Sequence, residues 1–133
     1  MDAATREWVR TRAGDRCEYC HLRQGHMPSP AFHIEHIVAR KHRGTDDREN
    51  LALACDQCNL HKGANLSGLD PDTGELTRLF HPRRDMWEEH FHFDGARIAG
   101  QTACGRTTAW VLQMNSDERV ELRTILAALG ELG

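Results

Sequence analysis

The chain has 133 residues, of which 39% are hydrophobic and 28% charged, and carries a net charge of −3 with its histidines neutral. That profile excludes a disordered or fibrous protein and fits one folded domain, residues 1–133, with a modest core. No apolar run nears the ~20 residues that span a bilayer, and Met1-Asp2-Ala3-Ala4-Thr5-Arg6 lacks a signal-peptide layout, so a cytoplasmic protein with no membrane partner is expected.

Residues 2–13 read as a helix started by Asp2 or Thr5, with Ala4/Trp8 and Val9/Ala13 at i,i+4 and Gly14 as its stop. Cys17-Glu18-Tyr19-Cys20 follows, then a loop over His21–Pro30 marked by Gly25, Pro28 and Pro30. Phe32–Val38 is rich in β-formers and predicts a strand. Arg40-Lys41-His42-Arg43 and Gly44 to Asp47 form a basic loop, and Asn50–Ala54 predicts a second strand. Cys55-Asp56-Gln57-Cys58 leads into a helix over Cys58–Lys62, ended by Gly63.

The character changes beyond Gly63. Gly68–Gly74 is turn-rich, and Leu76–Phe80 predicts a short strand. Trp87–Phe93 and Ala96–Ala99 flank Asp94-Gly95, a type I′ hairpin signal. Thr107, Trp110, Val111 and Met114 predict a helix with one buried face. Asn115 followed by Glu118 resembles a capping box for a last helix that buries Leu122, Ile125, Leu126 and Leu129. The fold class is therefore α+β, and residues 64–133 read as a packing extension around a core at about 31–63.

Two CxxC pairs separated by 34 residues carry the strongest chemistry. Each pair can aim two thiolates at one ion, and Cys17, Cys20, Cys55 and Cys58 would complete a closed tetrahedral Zn²⁺ shell, which is structural and not catalytic. The competing readings are a redox CxxC, which needs accessible low-pKa thiols, and buried reduced cysteines. Cys104 is left over and reads as a small buried hydrophobe beside a helix.

Between the pairs, Glu35 and His36 are adjacent on the first strand, so a regular strand would send them to opposite faces. Their convergence on one phosphate calls for strong twist or a bulge. Asn59 directly follows Cys58, so the zinc knuckle fixes where its helix begins and where its amide points. A carboxylate and an amide oxygen are hard ligands suited to Mg²⁺ or Mn²⁺, and a neutral His36 beside such an ion can take a proton from water near pH 7.

Together these residues resemble a known family. Cys-x2-Cys, His33-Ile34-Glu35-His36-Ile37, Asn50-Leu51 and Cys55-x2-Cys58-Asn59-x2-Lys62-Gly63 are similar to the HNH endonucleases, specifically standalone bacterial members with four zinc-binding cysteines. The similarity continues through Leu69-Asp70-x2-Thr73-Gly74-Glu75, Leu79-Phe80-x-Pro82-Arg83, Trp87-x2-His90-Phe91 and Gly105-Arg106-Thr107-Thr108. The resemblance implies a ββα-metal core stapled by zinc, an N-terminal helix, and a C-terminal hairpin with two helices. It implies His36 as general base, with Glu35 and Asn59 as ligands of the catalytic divalent ion, in places where other members have Asp or His and His respectively. Asn50 would hold the loop and orient the base. The implied reaction is hydrolysis of DNA, duplex by preference and with low intrinsic specificity or specificity lent by a protein partner, leaving 5′-phosphate and 3′-hydroxyl ends.

Arg40, Lys41, Arg43 and Lys62 are candidates for phosphate contacts, which position the nucleic acid and carry little sequence information. Their alternative is a solvated basic loop. His33 shares a strand face with Glu35 and is a candidate support for the site; His61 points away from it. His90 and His92 have no metal-ligand spacing and read as packing with Trp87. The alternative of another class is a zinc-stapled nucleic-acid-binding or adaptor domain whose nuclease site is weak or silent, a reading that the acidic total charge and Glu35 favour slightly and the intact His36, Asn50 and Asn59 set disfavours.

Overall fold

The computed structural model describes residues 1–27 and 30–132. Pro28 and Ser29, in the loop expected over His21–Pro30, lie outside the described residues. The backbone groups into two compact units: Met1–Ala64 with His81–Arg84, and Asn65–Phe80 with Asp85–Gly133. Helices and two-stranded antiparallel sheets make up both, an α+β arrangement.

The first unit opens with α1, Ala3–Ala13. Asp2 caps it by accepting the Thr5 N–H, and Gly14 ends it at φ 63°, a conformation in which a Cβ would be strained. Val9 is its buried residue. Its arginines tie it down from the side: Arg10 donates to the Phe32 carbonyl at 2.9 Å and Arg12 to the Leu51 carbonyl at 2.6 Å. β1 (His33–His36) and β2 (Leu51–Ala54) pair antiparallel, with Glu35 opposite Ala52 and His36 opposite Leu51. All four β2 residues are buried, which explains its unbroken apolar sequence. α2, Asp56–Lys62, begins directly after β2, with Cys55 as its N-cap.

In the second unit, β3 (Ser67–Leu69) pairs with β4 (Leu76–Arg78), and β5 (Phe91–Asp94) with β6 (Arg97–Gly100). α3 is Trp87–His90, α4 Ala103–Val111 and α5 Asp117–Ala128. α4 packs on β3, β4 and β6, over a core that includes Phe80, Phe91, Ile98, Leu112, Met114 and Leu126.

Several expectations for this half are corrected. Ser67–Leu69 is a strand that takes in the first two residues of the stretch read as turn, Gly68 and Leu69. Trp87–His90 is helical, so only Phe91–Asp94 forms the hairpin arm, with Trp87 stacked against Phe91 and Phe93 at 5.1 and 5.5 Å. Asp94 pairs with Arg97, so the loop residues are Gly95 and Ala96, one position later than expected, with Gly95 at φ 59°. Ser116, not Asn115, caps α5; Asn115 instead bonds both backbone groups of Ile98, at 2.8 and 2.7 Å. Of the stripe expected to be buried on α5 only Leu126 is, while Ile125 and Leu129 are exposed and Arg119 and Arg123 turn inward. Trp110 on α4 is likewise exposed.

Candidate active site

The cysteines set the frame. Cys17, Cys20, Cys55 and Cys58 are all buried, and their four sulfurs lie within 4.8 Å of one another. Cys20 Sγ and Cys55 Sγ are 3.8 Å apart. Four sulfurs about 2.3 Å from one zinc ion would stand about 3.8 Å apart, so the cluster has the size of a tetrathiolate site. Each pair also has the turn that such a site uses: Cys20 N–H donates to Cys17 Sγ at 3.5 Å, and Cys58 N–H to Cys55 Sγ at 3.4 Å. The thiols could not all ionise unaided. Burial pushes Cys17 well up, and hydrogen bonds from Cys17, Cys20 and Cys58 pull Cys55 far below the ordinary thiol range. A divalent cation supplies the charge that four thiolates need. Their burial also removes the accessible thiol a redox CxxC requires.

Between the knuckles, β1 keeps a regular register with β2 and carries no bulge. Glu35 and His36 therefore leave the strand on opposite faces. Glu35 is 5% exposed. One carboxylate oxygen accepts the Tyr19 hydroxyl and the other lies 3.4 Å from Lys62 Nζ. Burial pushes the Glu35 carboxyl upward, and the Lys62 charge and the Tyr19 hydrogen bond work against that rise. The Tyr19 hydroxyl is pushed well up in turn, first by burial and then by the Glu35 charge.

Lys62 is itself 2% exposed and donates to the Ile37 carbonyl at 2.9 Å. It is thus enclosed and occupied, which corrects its place among the surface phosphate contacts. Arg40, Lys41 and Arg43 are exposed. Asn59 lies three residues before Lys62, on the same face of α2, and is half-buried. Glu35 on β1 and Asn59 on α2 carry oxygen atoms of the kind Mg²⁺ and Mn²⁺ prefer, and the Glu35 carboxylate already has a cationic neighbour.

His36 faces the other way. It is half-buried, and its Nε2 is 2.7 Å from Asp46 Oδ1, which also accepts from Arg40 Nη2 at 2.7 Å. Those bonds, the one to His36 first, hold the Asp46 carboxyl below its usual range. Asn50 fixes the loop between them. Its Oδ1 accepts the Val38 N–H at 2.9 Å, and its Nδ2 donates to the Val38 carbonyl at 3.0 Å and the Thr45 carbonyl at 2.8 Å. His33 and His61 are exposed. Sequence reasoning missed Tyr19 and Asp46. Tyr19 sits inside the first knuckle and Asp46 in the loop after the basic stretch, and neither has a spacing that marks it.

Residues 17–65 match the family model described as HNH endonuclease. No curated protein and no solved structure matches the chain at a significant level. The matched stretch spans both cysteine pairs, β1, β2 and α2, so the four-cysteine cluster and the Glu35, His36, Asn50 and Asn59 positions all lie within it. Among the described residues, no helix is long and apolar enough to cross a membrane.

Proposed function

We propose that the HNH module hydrolyses phosphodiester bonds of DNA, with His36 as the base and Glu35 and Asn59 as holders of one divalent ion, Mg²⁺ or Mn²⁺. The contact of His36 with Asp46 carries the reading. An ionised carboxylate only accepts hydrogen bonds, so Nε2 bears the hydrogen and Nδ1 keeps the lone pair that takes a proton from water. Asp46 then steadies the imidazolium as it forms, while Asn50 holds the loop that brings the two together. Arg40, Lys41 and Arg43 stand on the exposed side of that loop, where phosphates of a duplex can reach them. A bound divalent ion would neutralise charge on the scissile phosphate and stabilise the leaving 3′ oxygen.

To hold that ion, Glu35 would have to release one of its two partners, Tyr19 or Lys62, and turn toward the His36 side of β1, since the regular strand sends the two side chains to opposite faces. The closed four-sulfur site holds zinc and takes no part in the chemistry. A nuclease module this small leaves little room for reading bases, so low sequence specificity, or specificity lent by a protein partner, fits the chain.

One observation favours a second reading: both oxygens of Glu35 already have protein partners, as in a nucleic-acid-binding domain whose nuclease site is silent. Plasmid nicking measured with Mg²⁺, Mn²⁺ and excess EDTA separates the two. Metal-dependent cutting that falls by about 10²–10⁴ in His36→Ala supports catalysis by this base. DNA binding without cutting under any ion supports the silent domain, and undiminished cutting by His36→Ala removes His36 from its role.

A further inference from the structure

The second unit contains a cluster that the nuclease reading does not use. Asp85, His90 and Cys104 each offer one ligand atom, and these atoms lie within 4.8 Å of one another. They come from three separate places: the segment before α3, the last residue of α3, and the first turn of α4. We propose that these three side chains form a second metal site, for one zinc-class divalent ion, with water or an exogenous ligand in the fourth position.

The donor set fits such an ion. A thiolate, an imidazole and a carboxylate are the three zinc ligands proteins use, and three protein ligands leave one position open. His90 Nε2 is 3.9 Å from Asp85 Oδ1. Ligands about 2.0–2.3 Å from zinc stand about 3.3–3.8 Å apart, so side-chain shifts on the order of 1 Å close the shell.

The surroundings hold the ligands in ways that packing alone does not demand. His90 Nδ1 is 2.6 Å from Thr102 Oγ1, which leaves Nε2 as the nitrogen facing Asp85. A second partner on the distal nitrogen is the usual means of fixing a ligand histidine. The Phe80 ring meets the imidazole edge-on at 6.0 Å and limits its rotation. Arg78 grips Asp85 by both oxygens, at 2.6 and 3.0 Å; the longer bond is to Oδ1, the oxygen facing His90. The backbone is shaped for the approach as well. A Cβ on Gly105 would come within 2.0 Å of the His90 carbonyl oxygen, so the glycine lets the first turn of α4, with Cys104 in it, lie against His90.

In this arrangement the ion ties the start of α3, its end and the start of α4 into one node. It is separate from the tetrathiolate cluster, and it stands or falls independently of the nuclease reading. The test is zinc content of the full chain after equilibration with excess zinc and removal of loose metal by gel filtration. Wild type should retain two zinc ions per chain, and Cys104→Ala and His90→Gln one each, with the tetrathiolate zinc kept as the internal sign that the chain remains folded. Cobalt added to protein holding only the tetrathiolate zinc should give a sulfur-to-cobalt charge-transfer band in wild type and none in Cys104→Ala. One zinc in wild type, or two in both variants, overturns the proposal.

Discussion

Glu35 and Lys62 form an ion pair with 3.4 Å between Oε2 and Nζ, in a place where both side chains are almost wholly shielded from water. A pair of this kind is stabilising only relative to its halves, because each charge taken alone would bear the full cost of burial. Lys62→Met should therefore destabilise the chain by about 3–5 kcal/mol. Urea unfolding in excess zinc measures it, and Glu35→Gln combined with Lys62→Met should recover part of the loss. A double variant no better than Lys62→Met would show that the two charges do not depend on one another.

Asn50 makes three hydrogen bonds to the backbone of Val38 and Thr45. Asn50→Ala leaves those groups to find water or go unpaired, at about 1–3 kcal/mol for any that stays buried. Hydrogen exchange should quicken at the Val38 amide, with a smaller change at the Ile37 amide, which donates to the Asn50 carbonyl and keeps its partner. If the nuclease reading holds, cutting should fall as well, since Asp46 would no longer be held against His36. Asp46→Asn should give a smaller loss of cutting than His36→Ala.

In the second unit, Asp70 is buried against Arg106, with Nε 3.1 Å from one carboxylate oxygen and Nη2 2.8 Å from the other. Those bonds, with the Asp72 N–H, bring the Asp70 carboxyl down to about 2 from its ordinary 3.8. A depressed folded value means that the folded state holds the proton less tightly than the unfolded chain. The stabilisation is therefore complete above about pH 4 and is lost as the pH falls toward 2. Thermal melts across that window should show a steeper acid decline in wild type than in Asp70→Asn.

Removal of the tetrathiolate zinc by a strong chelator should unfold the first unit, because its two knuckles have no other cross-link among the described residues. Cys55→Ala should act more severely than Cys20→Ala, since Cys55 is also the N-cap of α2 and alanine cannot accept the Cys58 N–H. Circular dichroism with zinc back-titration reads both, and equal effects would deny Cys55 its second role.

What the sequence made legible was local. Asp2 and Gly14 bracket α1 with signals that need no tertiary context, and the CxxC turns and the Asp94-Gly95 pair place the knuckles and the second hairpin. α5 defeated the apolar periodicity because Arg123 finds carbonyl partners inside, at Ala96 and Met114, both 2.6 Å away, so a charged residue takes the inner face. The strand expected from Trp87 was drawn from the Asp94-Gly95 hairpin signal, whereas the Trp87 ring packs back on Phe91 and Phe93 from a helical turn. At the candidate site, the residues named by the family pattern were legible and their neighbours were not. Asp46 meets His36 across ten residues only because Asn50 pins the intervening loop, and Tyr19 reaches Glu35 only once the knuckle has folded.

Cys55 directly follows the β2 ladder, accepts the Cys58 N–H at the start of α2, and is one of the four clustered sulfurs. One sulfur atom is therefore shared by a strand end, a helix start and a metal cluster. Loss of that residue from the cluster would release all three together, so Asn59, four residues along, depends for its position on a side chain that the proposed chemistry never touches.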